Sequence, residues 1–382
     1  MTTYASRLDL IAGRDVHGAA ELDRLLLIGK RALAAGYNCG GFAFTLRGEA
    51  APGGLWQVQP RGLSVRYGAI AALGLLRFPP LEQRYVLDGY SARSLVDRLI
   101  GDLDGLTGRG DAALMCWAAA EAGHSALPRA LARLAHLDRQ PGPVSLVSAA
   151  WVVSALVAAR QQADVEEHLA SARDRLLASR GPVLFPHMLG GTTAWHSSHV
   201  GSFADQAYPV QALARLHASG GDQAALATAN SVAAVLARAQ GKAGQWWWHY
   251  DIRSGQVVEG YPVYSVHQHA MAPMALLDLA EAGGQPYLDQ ICSGIRWLTR
   301  PPECAEKLVL DEPPVIWRKV ARPDPRKLVR DMRAASTRLR PRVHLQALDR
   351  VFRPGTVDHE CRPYELGWLL FAWLPAKGAP GA

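Results

Sequence analysis

Tyr264, His267 and Gln268 stand three and four residues apart in the stretch YPVYSVHQHAMAPMALLDL, a spacing that puts all three on one face of a helix, with Tyr261 one turn earlier. A tyrosine–histidine–glutamine face on an otherwise apolar helix is costly to bury unless it is satisfied. Such a face either plugs the axis of a helical assembly or lines a site where protons move. Glu259 lies just upstream, and before it the run Trp246, Trp247, Trp248 leads into His249, Tyr250 and Asp251. A flat aromatic in a cleft can stack on the apolar face of a sugar ring or enclose a carbocation. One of the three tryptophans is expected to reach a cleft, and Trp247 is taken as that one.

Two further clusters share this character. In WHSSHVGSFADQAYPVQALARL, His196 and His199 sit in a loop, followed by Asp205, Gln206 and Tyr208 at the head of a helix. Asp205 could cap that helix or face a cleft. A zinc ion would need third and fourth ligands, and the local spacing matches no metal motif, so neither metal nor cofactor is expected. In HECRPYELGWLL, Glu360, Arg362, Tyr364 and Glu365 open the last helix. There Arg362 is either an ion-pair knot or a fork for a substrate carboxylate or phosphate. Arg66 and Tyr67 in SVRYGAI resemble these helix starts, and Asp111 could be an N-cap.

The elements that must position these groups repeat along the chain. Twelve helices are predicted, near 20–36, 64–77, 90–103, 110–122, 128–137, 144–160, 163–178, 202–218, 222–239, 261–282, 286–299 and 361–374. They alternate in kind. One set begins with polar or aromatic residues and turns strongly apolar, as in GDAALMCWAAA and SLVSAAWVVSALVAA. The other is amphipathic and charged, as in ARSLVDRLIGDL. A helix apolar nearly all round is buried, and one with a charged face meets water. Six buried helices inside six surface ones make an all-α (α/α)6 toroid of six hairpins. The whole chain, 1–382, is read as one such domain. Strand signals are confined to YNCGGFAFTL and GLWQVQP. The loops entering the inner helices line one mouth, which is where the unusual polar residues fall.

Composition narrows the partners. No apolar run is long enough for a membrane span, and the N-terminus lacks the features of a signal peptide, so a cytoplasmic protein is expected. The five cysteines are scattered singly, which fits reduced thiols. Residues 318–353 hold twelve Lys/Arg against three Asp/Glu, a net of +9, whereas the rest of the chain carries −2. This basic insertion before the last inner helix is either a solvated, partly mobile loop and helix or a patch that draws an anionic substrate. Nucleic acid is not expected, because no aromatics interleave the basic residues. Motifs for a nucleophilic serine, a P-loop, a zinc protease or a dinucleotide fold are absent.

The string WWWHYD…YPVYSVHQHAMAPMALLDLAEAGG resembles the C-terminal half of the D-glucuronyl carbon-5 epimerases, and FADQAYPVQALARLHASGGDQAALATANSVAAVLARAQ is similar to the repeat before it. The likeness spans roughly residues 195–300. The β-structure that precedes the helical domain in those epimerases is nearly missing here, which leaves a smaller glycan or an activated sugar open. The resemblance implies a carbohydrate-active isomerase, or by close variation a lyase, acting on a uronate-type sugar by proton abstraction beside its carboxylate. Tyr208, Tyr264, His267, Glu259 and Asp205 are then the catalytic candidates. Arg362, Arg66, Tyr261, Gln268, Tyr364, Glu365, His199 and Trp247 would bind an anionic oligosaccharide or small-molecule substrate. Hydrolysis would instead need two carboxylates ~5–10 Å apart, which Asp205, Glu259, Glu360 and Glu365 could supply. A terpenoid cyclase on the same toroid is the alternative from another class, kept by the eleven tryptophans. A non-catalytic glycan-binding toroid is the third reading.

Overall fold

The computed structural model describes residues 6–190, 194–341 and 343–375. Six inner helices, Val65–Leu75, Arg109–Glu121, Leu146–Ala159, Ala204–Gly220, Ala272–Glu281 and Pro363–Trp373, each pack on the next, and the last returns to the first. The ring is therefore closed. The outer helices Val16–Gly36, Ala92–Gly101, Leu127–Arg139, Glu166–Ala178, Gln223–Ala239 and Leu288–Thr299 alternate with the inner ones along the chain, the first packing on the last inner helix and each of the others chiefly on the inner helix before it. Four further helices stand outside the predicted twelve: Arg7–Ala12, Pro80–Val86, Leu328–Leu339 and Leu348–Val351.

Local chemistry sets several helix starts. Ser64, Ser91, Ser145 and Asp222 each accept a backbone N–H of the first turn through the side chain. Glycine decides where the ring closes. A Cβ on Gly74 would lie 2.3 Å from the Gly367 carbonyl oxygen, and one on Gly367 would lie 2.7 Å from that of Ile70. The first and last inner helices thus meet backbone to backbone, a contact that no side chain would allow.

Tryptophan fills the centre. Trp117, Trp246, Trp297, Trp317, Trp368 and Trp373 are all fully buried, so most of the tryptophan richness belongs to the core.

The strands are not limited to the N-terminal region. The hairpin Thr45–Ala51/Leu55–Arg61 is there, but short strands also occur in the later loops, every one on the way from an outer helix to the next inner one. They knit neighbouring loops together. Val200–Ser202 pairs with His249–Asp251, Val263–Tyr264 with Lys319–Ala321, and Glu360–Cys361 with Leu46–Arg47 of the first hairpin. The pairs are two or three residues long, too short for a period-2 pattern to show in sequence.

Candidate functional site

The same loops crowd one end of the ring around a pocket of about 210 Å³, lined by Tyr208, Trp248, Tyr264, His267, Arg318 and Tyr364. Tyr208 and Tyr364 come from the first turns of two inner helices, Trp248 from the loop before a third, and Arg318 from the start of the basic segment. Arg318 stands over the Tyr264 ring at 5.2 Å. Its Nε is 3.6 Å from Oε1 of Glu365, which is 1% exposed. Neither of those atoms has a hydrogen-bond partner, and nor does Glu365 Oε2.

Burial dominates the titration of this pocket. It pushes the Glu365 carboxyl up to about 7, and the cations of Arg318 and Arg362 only partly offset it. It holds Tyr208, Tyr264 and Tyr364 above the usual phenol value. It pushes His267 down to about 3. The His267 Nδ1–H donates to the Trp246 carbonyl at 3.4 Å, which leaves its Nε2 as an acceptor.

Around this centre the contacts run continuously. Arg362 donates to the Tyr67 hydroxyl at 3.1 Å and pairs with Glu360 at 2.7 Å. Tyr67 meets Tyr364 at 4.6 Å between ring centroids. Tyr208 meets Trp151 edge-on at 5.2 Å. Arg66 stands over Trp151 at 5.8 Å and binds Asp111 at 2.5 Å. Asp111 is thus an ion-pair partner and does not cap its helix, which has no side-chain cap. One turn before Tyr208, the buried Asp205 accepts from the Ser202 N–H and hydroxyl, both at 2.7 Å, and from the His187 ring at 3.0 Å.

Other candidates are placed elsewhere. Tyr264 is not on the helix with His267 and Gln268. It lies on a strand, paired with Lys319, and the helix opens just after it at Ser265, with a π turn over His267–Met271. Gln268 is fully buried and joins the Trp246 N–H to the Tyr264 carbonyl. It pins backbone and does not face a substrate. Trp247 is packed on Tyr261 edge-on at 5.8 Å, and the tryptophan that reaches the pocket is Trp248. Trp248 lies between His249 at 3.8 Å and Arg330 at 5.0 Å, so its faces are already covered and its edge meets the pocket.

Glu259 is buried away from the pocket, bound to Arg322 at 2.8 Å with Arg333 at 3.6 Å. Tyr261 donates to Glu303 at 3.0 Å. His199 shares a 2.9 Å hydrogen bond with Thr337, while His196 lies 3.8 Å from Asp331. Among the described residues, no three His, Cys, Asp or Glu side chains gather as a metal site.

The sequence reading missed three groups. Arg318 and Arg330 were hidden inside the basic segment, which keeps an exposed loop and a helix but also has a buried side. Its Arg322, Arg333 and Thr337 are buried, and the segment contributes a strand and a helix to the mouth. His187 stood alone in FPHML with no neighbour to mark it, and the strand pair Val144–Ser145/Met188–Leu189 together with the Gln206 hydrogen bonds to the Phe185 backbone carries it to Asp205.

No protein-family model matches the sequence, and no curated protein matches it. Solved structures do. An unsaturated glucuronyl hydrolase specific for heparin superposes with a TM-score of 0.56 at 13% identity, over 93% of this chain and 95% of its own. For the unsaturated glucuronyl hydrolase of Bacillus sp. GL1, responsible for degradation of glycosaminoglycan, the TM-score is 0.57 at 14% identity, over 94% and 99%. A possible member of the GH105 family from Klebsiella pneumoniae subsp. pneumoniae gives 0.56 at 12%, over 93% and 92%. At such identities the likeness establishes the (α/α)6 toroid over nearly the whole chain. It also corrects the enzyme class read from the residues. The isomerase or lyase, with the prenyl cyclase as its alternative, is overturned, because the glucuronyl hydrolases that share this toroid are neither. The resemblance to the carbon-5 epimerases is not confirmed beyond the toroid itself. Burial also raises the Tyr264 phenol above its usual value, which disfavours the ionised form that a base would need.

Proposed function

We propose that this chain is a carbohydrate hydrolase that takes one anionic, uronate-type sugar unit into the mouth of the toroid. The observation that carries this reading is the pairing just behind the pocket of Glu365, whose carboxyl burial pushes up to about 7, with the pocket-lining Arg318 guanidinium 3.6 Å away. A protonated carboxyl can donate to the leaving glycosidic oxygen as the bond to the anomeric carbon breaks. An anionic sugar suits the Arg318 cation. Its own charge would favour the proton on Glu365, since two carboxylates sharing a site do not both ionise readily.

The complementary base is assigned to His187 with Asp205. Asp205, fixed by Ser202, orients the imidazole, which takes a proton from the attacking water. Tyr208, Tyr264 and Tyr364 stay neutral and serve as hydroxyl donors. The small pocket favours one sugar ring over a threaded polymer. The glucuronyl hydrolases named above lend support as neighbours in fold.

The test is a panel of aryl glycosides carrying unsaturated glucuronyl, glucuronyl and neutral sugars. Release of the aryl group from a uronyl member is expected, with loss of ~100-fold or more in Glu365→Gln. Turnover of neutral members alone would reject the anionic sugar. Tight binding of the uronyl members with no turnover would reject the hydrolase in favour of a binding toroid.

A further inference from the structure

A second hollow on the molecule is larger than the pocket. A groove of about 490 Å³ lies between the outer helix Gln223–Ala239, the turn that joins strands His249–Asp251 and Val257–Glu259, and the end of the basic segment. This volume falls within the ~300–1,000 Å³ of ordinary ligand sites. Val235, Val257 and Val258 line it with apolar surface, and Ser254, Gln256 and Gln346 bring hydroxyl and amide groups.

Two arginines and a histidine line the same groove: Arg238, Arg333 and His344. Arg333 is 6% exposed, and its Nε and Nη2 make no hydrogen bond, although Nη2 stands 2.8 Å from an Asp349 carboxylate oxygen. Arg322 and Arg333 together face Glu259 and Asp349, so that buried knot is neutral. Arg238 has no carboxylate partner among the described residues, and it leaves the groove positive. His344 is held only by Gln256, at 3.3 Å.

Guanidinium, amide and hydroxyl donors above an apolar floor match a ring that carries both a carboxylate and hydroxyls. No tryptophan, tyrosine or phenylalanine lines the groove among the described residues, and its one ring is that of His344, which leaves little of the stacking surface a nucleotide base would use. We propose that this groove is a second carbohydrate site, specific for an acidic sugar and separate from the pocket. It would hold a further unit of the glycan that the mouth processes, and to that extent it rests on the hydrolase reading. The two sites share one hairpin. The strand His249–Asp251 brings His249 against Trp248 at the pocket, and the turn that follows it sets Ser254 in the groove.

The sites carry separate reporters, because Val235, Val257 and Val258 line only the groove and Met271 only the pocket. The experiment is a titration of methyl-labelled protein with sodium D-glucuronate, with glucose and sodium sulfate as controls. The valine methyls should shift with glucuronate and not with glucose. Arg238→Gln should weaken that response ~10-fold or more, while Met271 and the turnover of a small aryl glycoside stay unchanged. Arg318→Gln should weaken the Met271 response and leave the valines alone. A Met271 response with silent valines would overturn the second site but keep the pocket reading. Valine shifts equal for sulfate and glucuronate would reduce the groove to a general anion trap and also overturn it. Valine shifts insensitive to both Arg238→Gln and His344→Gln would do the same. Failure of the pocket alone would appear as responding valines with a silent Met271.

Discussion

Arg318 Nε and Glu365 Oε1 face each other across 3.6 Å in a buried wall, and neither has a hydrogen-bond partner. The distance is too long for a hydrogen bond, yet close enough for the cation to oppose what burial does to the carboxyl. Burial wins, and Glu365 titrates near 7. A group in that state can release a proton during reaction and regain it from solvent at neutral pH.

The first consequence is a pH profile. If Glu365 must be protonated, kcat should fall with rising pH through about 7, and Glu365→Gln should remove that limb together with ~100-fold or more of the rate. A rate that rises through pH 7 would show that Glu365 works ionised, and the acid assignment would be lost.

Stability should move with the same group. The folded-state pKa of Glu365 is raised above its ordinary 4.5, so the fold gains from the protonated form below that value and loses this gain as pH rises through about 7. Glu365→Gln cannot ionise. It should be more stable than the unsubstituted protein at pH 8, by about 1–3 kcal/mol, and nearly equal to it at pH 4.5. Urea midpoints at the two pH values check this, and equal midpoints at pH 8 would refute it.

His187 takes the opposite sign of charge through Asp205, whose hydrogen bond raises the imidazole above its ordinary value. The stability from this pair is full below ~6.5 and is lost as pH rises through the raised folded value. In Asp205→Asn the His187 resonance should titrate near ~6.5, and kcat should drop more than KM rises. An unchanged titration would separate His187 from Asp205.

The tryptophan run should divide by position. Trp246→Ala empties a fully buried site and should cost about 3–5 kcal/mol in stability. Trp248→Ala should leave the denaturation midpoint within about 1 kcal/mol and raise KM by ~10-fold, since its edge walls the pocket. Thermal melts and substrate titrations of the two variants decide it, and a reversed pattern would misplace the pocket.

Glu259 should behave as a structural anion. Glu259→Ala leaves Arg322 and Arg333 buried with Asp349 as their remaining carboxylate, a loss of about 3–5 kcal/mol. Turnover of whatever stays folded should be near normal at low temperature. A folded variant of ordinary stability without activity would instead return Glu259 to the chemistry.

The toroid was legible in the chain because its signal is long-range and repeated. Twelve apolar or amphipathic segments in alternation leave few other ways to bury so much surface, and the helix limits agree with the structure to within a few residues except near Tyr264. The site was legible only in part. Tyr208, Tyr264, His267 and Tyr364 line the pocket and Glu365 adjoins it, because inner-helix starts must gather at one mouth. Periodicity misjudged Tyr264, whose strand depends on Lys319, more than fifty residues away.

The sequence by itself determined which helices are inner and which outer, and that a basic stretch precedes the last inner helix. Hydrophobic period and charge are local properties, and they sort helices without knowing their neighbours. Only the tertiary structure decided that Arg318 and Arg330 serve the pocket, that Glu259 is spent on buried arginines, and that His187 meets Asp205. Each of those facts is a contact between loops distant in sequence. The balance of desolvation against such contacts also sets which carboxyl stays protonated, and no spacing along one chain encodes it.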